Sequence, residues 1–129
     1  MNYHVADFVI RIKNSSHAHR KEVYMPYSKL SQAIAKVLVK EGFLSDVKEE
    51  VIDNKKQLLV TLTYVNRRPI VEGVKIISKP SLREYATKKK ISAAHNGSMV
   101  SVLSTSQGVM SGREANKKGV GGELLFQIW

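Results

Sequence analysis

The stretch "MVSVLSTSQGVMSGREANKKGVGGELLFQIW", Met99 to Trp129, decides the fold. It opens on an apolar-rich run, Met99 to Leu103, that reads as a strand, and closes on "GELLFQIW", which reads as the final strand. Between them Ser111 is followed three residues later by Glu114. That spacing is a capping box, in which a hydroxyl and a carboxylate satisfy the first orphan amides of a helix. Lys117 and Lys118 suit the negative C-terminal end of this helix and Gly119 its exit, so it spans only about two turns. The outcome is a mostly β lobe carrying one short helix. Left over is "STSQG", Ser104 to Gly108, with three hydroxyl residues in a row. Buried hydroxyls need partners, and a solvated turn has no need of three.

Upstream, "VEGVKIIS" (71–78) reads as a strand, "KPSL" (79–82) as a turn and "REYATKKK" (83–90) as an extended basic segment. "SAAHNGS" (92–98) reads as a loop. "VNRRP", Val65 to Pro69, is polar, basic and ended by proline, which marks it as a linker. Before it the pattern changes. Val5, Phe8, Val9 and Ile12 fall at i, i+3, i+4 and i+7 and predict an amphipathic helix near residues 4–15, with Arg11 and Lys13 flanking its stripe. "KEVYMP" (21–26) predicts a short strand. Ser28 can cap a second helix that carries Leu30, Ile34, Val37 and Leu38 and stops at Gly42. "FLSDVKEEVI" and "QLLVTLTYV" predict two strands joined by the turn "DNKK". The class is α+β in two small lobes: an α-β-α-β-β lobe over 1–66 and a β-rich lobe over 67–129.

Composition bounds the function. With 43% hydrophobic and 25% charged residues over 129, the chain is an ordinary globular protein that can bury an independent core. No apolar run approaches the ~18 residues of a membrane span, and no cleavable leader or membrane role is expected. The absence of cysteine removes disulfides, zinc fingers and thiol catalysis. The net charge is +10, and it is uneven: residues 1–64 carry 10 basic and 7 acidic side chains, residues 65–129 carry 11 and 4. Such an excess favours polyanionic partners, because each neutralised phosphate releases counterions.

Catalytic and cofactor chemistry has no footing. There is no phosphate-loop signature, since "GVGGE" lacks a lysine at the required place, and no nucleophile elbow, since Ser104 stands where the first glycine belongs. His17 and His19 sit in a polar stretch without spaced carboxylate or cysteine partners, so neither a metal nor a cofactor is expected. An RNA-processing or phosphate-binding enzyme rests on serines and glycines alone. RNA-binding features cohere better. In "REYATKKK", Arg83, Tyr85 and Lys88 to Lys90 place an aromatic among cations, fit to stack on a base while lysines follow phosphates. Ser104, Thr105 and Ser106, closed by Gly108, suit phosphates, ribose hydroxyls and base edges. Gly121 and Gly122 permit close backbone approach, with Glu123 as an acceptor for a base amino group.

These residues resemble the small-subunit ribosomal protein S-eight family, of the bacterial and organellar type. The similarity runs nearly end to end: the helix ending "RIKN", the "PYSKL" entry to helix two, the "EGF" exit, "SKPSLREY" and, most specifically, "STSQGVM". It implies a structural constituent of the small ribosomal subunit, a primary binder of the central domain of its RNA that helps to fold and assemble it, and no enzyme. Ser104, Thr105 and Ser106 match the family's hydroxyl motif against an irregular internal loop of an RNA stem; Tyr85 matches the aromatic beside it. Gly121, Gly122 and Glu123 match the turn closing that surface, and Asn96 and Gly97 the loop before the hydroxyl strand. Arg83, Lys88, Gly108 and Lys117 are assigned to the same RNA-binding surface. Arg11, Lys13, Asn14, Ser28 and Lys29 match positions near a second stretch of ribosomal RNA. Ser98 and Met99 stand where the family usually has leucine and glycine, and Ser92 where it tends to have proline. Neighbouring ribosomal proteins are implied partners, with the protein's own operon messenger as a further RNA under translational repression. The implied location is the cytoplasmic ribosome, or that of an organelle.

Overall fold

In the computed structural model, which describes residues 4–77, the backbone of residues 85–86 and residues 99–129, helix α1 runs His4–His17. Its stripe of Val5, Phe8, Val9 and Ile12 is buried as expected, and the helix outlasts the expected end because Ser15 and Ser16 are buried too. Strand β1 (Glu22–Pro26), helix α2 (Lys29–Lys40), strand β2 (Leu44–Ile52) and strand β3 (Lys55–Leu62) follow. The Ser28 hydroxyl caps α2 by accepting from the Ser31 amide at 3.0 Å. At the other end Gly42 takes a left-handed φ of +87°, and the Phe43 amide donates back to the Leu38 carbonyl at 2.9 Å. That closure drops Phe43 into the core.

The three strands form an antiparallel sheet in the order β1-β3-β2. Because side chains alternate, the register sorts its two faces. Val23, Met25, Leu58, Val60 and Val47 turn inward under the helices. Glu22, Tyr24, Pro26, Gln57, Leu59, Thr61, Asp46, Lys48 and Glu50 share the outer face. There the Tyr24 hydroxyl donates to Glu50 at 2.8 Å, which raises the phenol's pKa. The β2–β3 turn is tighter than expected: Asp53 and Asn54, with φ of +52° and +64°, make it alone, and Lys55 and Lys56 join β3.

The expected linker at Val65–Pro69 is a hairpin. Strands β4 (Tyr64–Val65) and β5 (Arg68–Pro69) pair antiparallel around Asn66 and Arg67, whose φ angles are +52° and +66°. The polar residues that resembled a linker are its two-residue turn. Tyr64 fastens this hairpin to the exit of α1: its hydroxyl donates to the Arg20 carbonyl and its ring stacks on His19. The strand expected over 71–78 contracts to β6 (Val74–Ile76), because Glu72 and Gly73 are held otherwise. Their amides donate to the Trp129 carbonyl at 2.7 and 3.1 Å.

In the second lobe come β7 (Tyr85–Ala86), β8 (Val100–Thr105), β9 (Gly108–Ser111), helix α3 (Gly112–Lys118) and β10 (Gly122–Ile128). Strand order is β6-β10-β8-β9, with β7 continuing along the β6 edge of β10. Half of the capping box forms: the Ser111 hydroxyl accepts from the Glu114 amide at 3.2 Å, while the Glu114 carboxylate turns to Lys40 and Lys118, and Gly119 ends α3 at φ +69°. Residues of the expected "KPSL" and "SAAHNGS" segments, Lys88 to Lys90 and the departures at Ser92 and Ser98 lie outside the described residues. One apolar cluster joins the two lobes: Phe8, Ile12, Ile34, Leu38, Leu58 and Val60 pack in it with Val71, Val102, Phe126 and Ile128. A smaller cluster of Leu103, Met110 and Ala115 seats α3 on its sheet.

Candidate nucleic-acid interface

Two neighbouring rungs of the second sheet assemble the hydroxyl end. Across one, Tyr85, Glu123, Ser104 and Val109 stand opposite one another; across the next, Ala86, Gly122, Thr105 and Gly108. Residues in one rung share a face, and successive rungs alternate. Ser104 therefore lies on the side of Val102 and Phe126, and Thr105 on the side of Leu103 and α3. Ser106 does not continue the alternation, because β8 ends at Thr105 and Ser106 opens the turn to β9. Gly108, at φ +113°, closes that turn in a conformation that disfavours any side chain.

The three hydroxyls are not equivalent. Thr105 Oγ1 donates to the Gly108 carbonyl at 2.7 Å and accepts from the Gln107 amide at 3.1 Å, so it builds its own turn. Ser104 is half-buried and Ser106 exposed, and neither hydroxyl has a protein partner among the described residues. They are the two free to meet a ligand. Gly122 is glycine for a packing reason: a Cβ there would stand 2.3 Å from the Ser104 carbonyl oxygen. Its absence lets β10 press against the backbone of the hydroxyl run. Gly121 is exposed and Glu123 half-buried beside Ser104. Arg83, Lys88, Asn96, Gly97 and the Tyr85 side chain lie outside the described residues, although the Tyr85 backbone pairs with Glu123.

The first-lobe residues form a looser group. Arg11 is exposed on α1 and its Nη1 donates to the Tyr24 carbonyl at 3.2 Å. It lines a small depression with Pro26 and Ser31, which brings it to the first turn of α2, where Ser28 caps and Lys29 is exposed. Asn14 lies on the Arg11 flank, sharing a shallow groove with Asp7 and Ile10. Lys13 does not join them: two residues on from Arg11 at ~3.6 residues per turn, it projects from the other flank. His17 Nε2 donates to the Glu72 carbonyl at 3.0 Å, and no group of three metal-ligating side chains occurs among the described residues.

Lys117 stands elsewhere, in a cleft of about 420 Å³ between the end of α2 and α3, lined by Lys40, Glu41, Ser111, Arg113, Glu114 and Lys118. Lys40 Nζ reaches Glu114 at 3.3 Å across this cleft, and Lys118 reaches the other carboxylate oxygen at 3.5 Å. The Lys40 hydrogen bond above all holds the Glu114 carboxyl below the usual range. The Lys40–Glu114 contact joins residues 74 apart in the chain, so no local spacing discloses it.

The hydroxyl end is built on backbone, with the Glu123 position set beside Ser104 in the same rung. Comparison with known proteins gives the family. The family model for ribosomal protein S8 matches residues 4–129. The small ribosomal subunit protein uS8 of Heliobacterium modesticaldum is 47% identical over 97% of this chain and 96% of its own length. That of Nitrosomonas europaea is 42% identical over 96% of this chain and 95% of its own, and that of Trichormus variabilis 37% over 97% and 96%. With the match extending over both lobes and the hydroxyl end, the chain belongs to the ribosomal protein S8 family.

Proposed function

We propose that the chain is a structural constituent of the small ribosomal subunit and a primary binder of the central domain of its RNA, which it helps to fold and assemble. Family membership supports the ribosomal role, and the family is one of structural proteins, not enzymes. Its place is on the ribosome, against ribosomal RNA and neighbouring ribosomal proteins. The observation that carries the RNA reading is the rung geometry: two serines without a partner among the described residues flank a threonine that fixes its own turn, at the edge of a glycine-thinned sheet end. Small hydroxyls on such an edge fit the shallow minor groove of an irregular stem, where shape and the ribose hydroxyls are read. The chain's net charge of +10 supplies sequence-independent affinity. The alternative reading is a translational repressor, in which the same surface binds a messenger segment that mimics the ribosomal site; a gel shift comparing the two RNAs separates them.

The test is a binding titration of Ser104→Ala/Ser106→Ala against a central-domain stem with its internal loop. Each lost hydrogen bond is worth about 0.5–1.5 kcal/mol, so affinity should fall roughly tenfold or more. An unchanged affinity in a folded variant would remove these serines as the readers.

A further inference from the structure

We infer that the outer face of the first sheet is a protein-docking surface that takes a cationic segment of a neighbouring ribosomal protein. The inference rests on the ribosomal reading above and uses none of the RNA-binding residues. Antiparallel sheets commonly bury one face and leave the other open, and here both helices of the lobe, α1 and α2, pack on the inner side. Register sets Tyr24 and Leu59 side by side at the centre of the open face, with Glu22 and Asp46 in one neighbouring rung and Glu50 in the other. Of the five large apolar side chains exposed among the described residues, three belong to this sheet: Tyr24, 44% exposed, and Val51 and Ile52 at the end of β2. Scattered singly, such residues need no explanation; gathered on one open sheet, they mark a contact surface.

Charge selects the occupant. The face sets Glu22, Asp46 and Glu50 against Lys48 and, beside the turn, Lys55, so it is net negative in a chain of net charge +10. Such a rim offers phosphates no partner. A second copy of the chain would bring the same acids against its own under two-fold symmetry. A cationic protein segment complements it. The anatomy agrees, because protein interfaces are anchored by aromatic side chains at the centre and rimmed by polar ones. Tyr24 suits the anchor: its hydrogen bond to Glu50 at 2.8 Å already fixes the ring, which leaves less rotamer freedom to lose on binding.

The chain has no cysteine, so Gln57→Cys, in the same rung as Glu50, gives one attachment point for a benzophenone photocrosslinker. The labelled full chain is assembled into small subunits and irradiated, and the adduct is mapped by mass spectrometry. The expected adduct is to one ribosomal protein, at a segment rich in lysine or arginine. Glu22→Gln/Asp46→Asn/Glu50→Gln keeps the size of each side chain and leaves Tyr24 an acceptor. It should therefore keep the thermal melt while cutting the adduct about tenfold, in line with the loss of three exposed ion pairs. Tyr24→Ala, which removes the anchor ring, should lower the yield as well. Adducts to RNA or to a second copy, or none at all, would overturn the inference, as would a yield that both variants leave unchanged. A labelled chain that never sediments with the subunit would instead refute the ribosomal reading beneath it. The serine titration above uses the isolated chain, so its failure and this one are separable.

Discussion

Gly122 and Thr105 do different work at adjacent positions. The Cβ of a Gly122→Ala variant would meet the Ser104 carbonyl oxygen at 2.3 Å and the Thr105 Cα at 3.0 Å. These are backbone atoms that cannot rotate away. The variant should lose about 1–3 kcal/mol in urea unfolding, the cost of overpacking, and lose RNA affinity by displacing the serines. Thr105 acts through its hydroxyl. Thr105→Val removes both bonds of the turn and leaves the Gln107 amide without that partner, for about 1 kcal/mol or somewhat more, whereas Thr105→Ser should keep most of it. Destabilisation by Ser but not by Val would show that the methyl group, not the hydroxyl, matters. The run of three hydroxyls was legible from residue type alone. Its division was not, because Thr105 is engaged by the Gly108 carbonyl, whose position depends on the turn between β8 and β9.

At the scale of elements, local signals were read well and non-local ones poorly. The Ser111 and Ser28 caps act within one turn of chain, so spacing discloses them. The β4–β5 hairpin was read as a linker because its turn uses Asn66 and Arg67 at positive φ in place of glycine. β9 was missed because four residues, "GVMS", are too few for alternation to declare itself. The contact between α2 and α3 joins residues far apart in sequence, and it is electrostatic. Glu114 titrates below its ordinary range in the folded chain, chiefly through Lys40. Its contribution is therefore complete above the unfolded carboxyl pKa and is lost as pH falls through the lower folded value. Glu114→Gln should flatten the loss of thermal stability on acidification, and a Lys40/Glu114 double-mutant cycle should give at most about 1 kcal/mol, fading with salt. A cycle energy insensitive to salt would contradict an exposed pair.

Across the whole molecule a continuous core joins what the sequence divides into lobes. Phe126 and Ile128 of β10 pack in the same cluster as Phe8 of α1 and Leu38 of α2. The sole tryptophan, Trp129, sits at the junction: its indole covers Gly73 and its backbone is bonded to Glu72 and Gly73. Unfolding followed by Trp129 fluorescence should therefore coincide with unfolding followed by far-ultraviolet circular dichroism; two separated midpoints would mean that the lobes melt independently.

The outer face of the first sheet has a last consequence. Glu22, Asp46 and Glu50 gather there, while the inner face carries α2, whose lysines point away from the sheet. Lys48 offsets one of these three acids, so the outer face of the first sheet keeps a net negative charge within a strongly cationic chain. A polyanion approaching the first lobe is therefore turned away from the bare side of the sheet and met on the others.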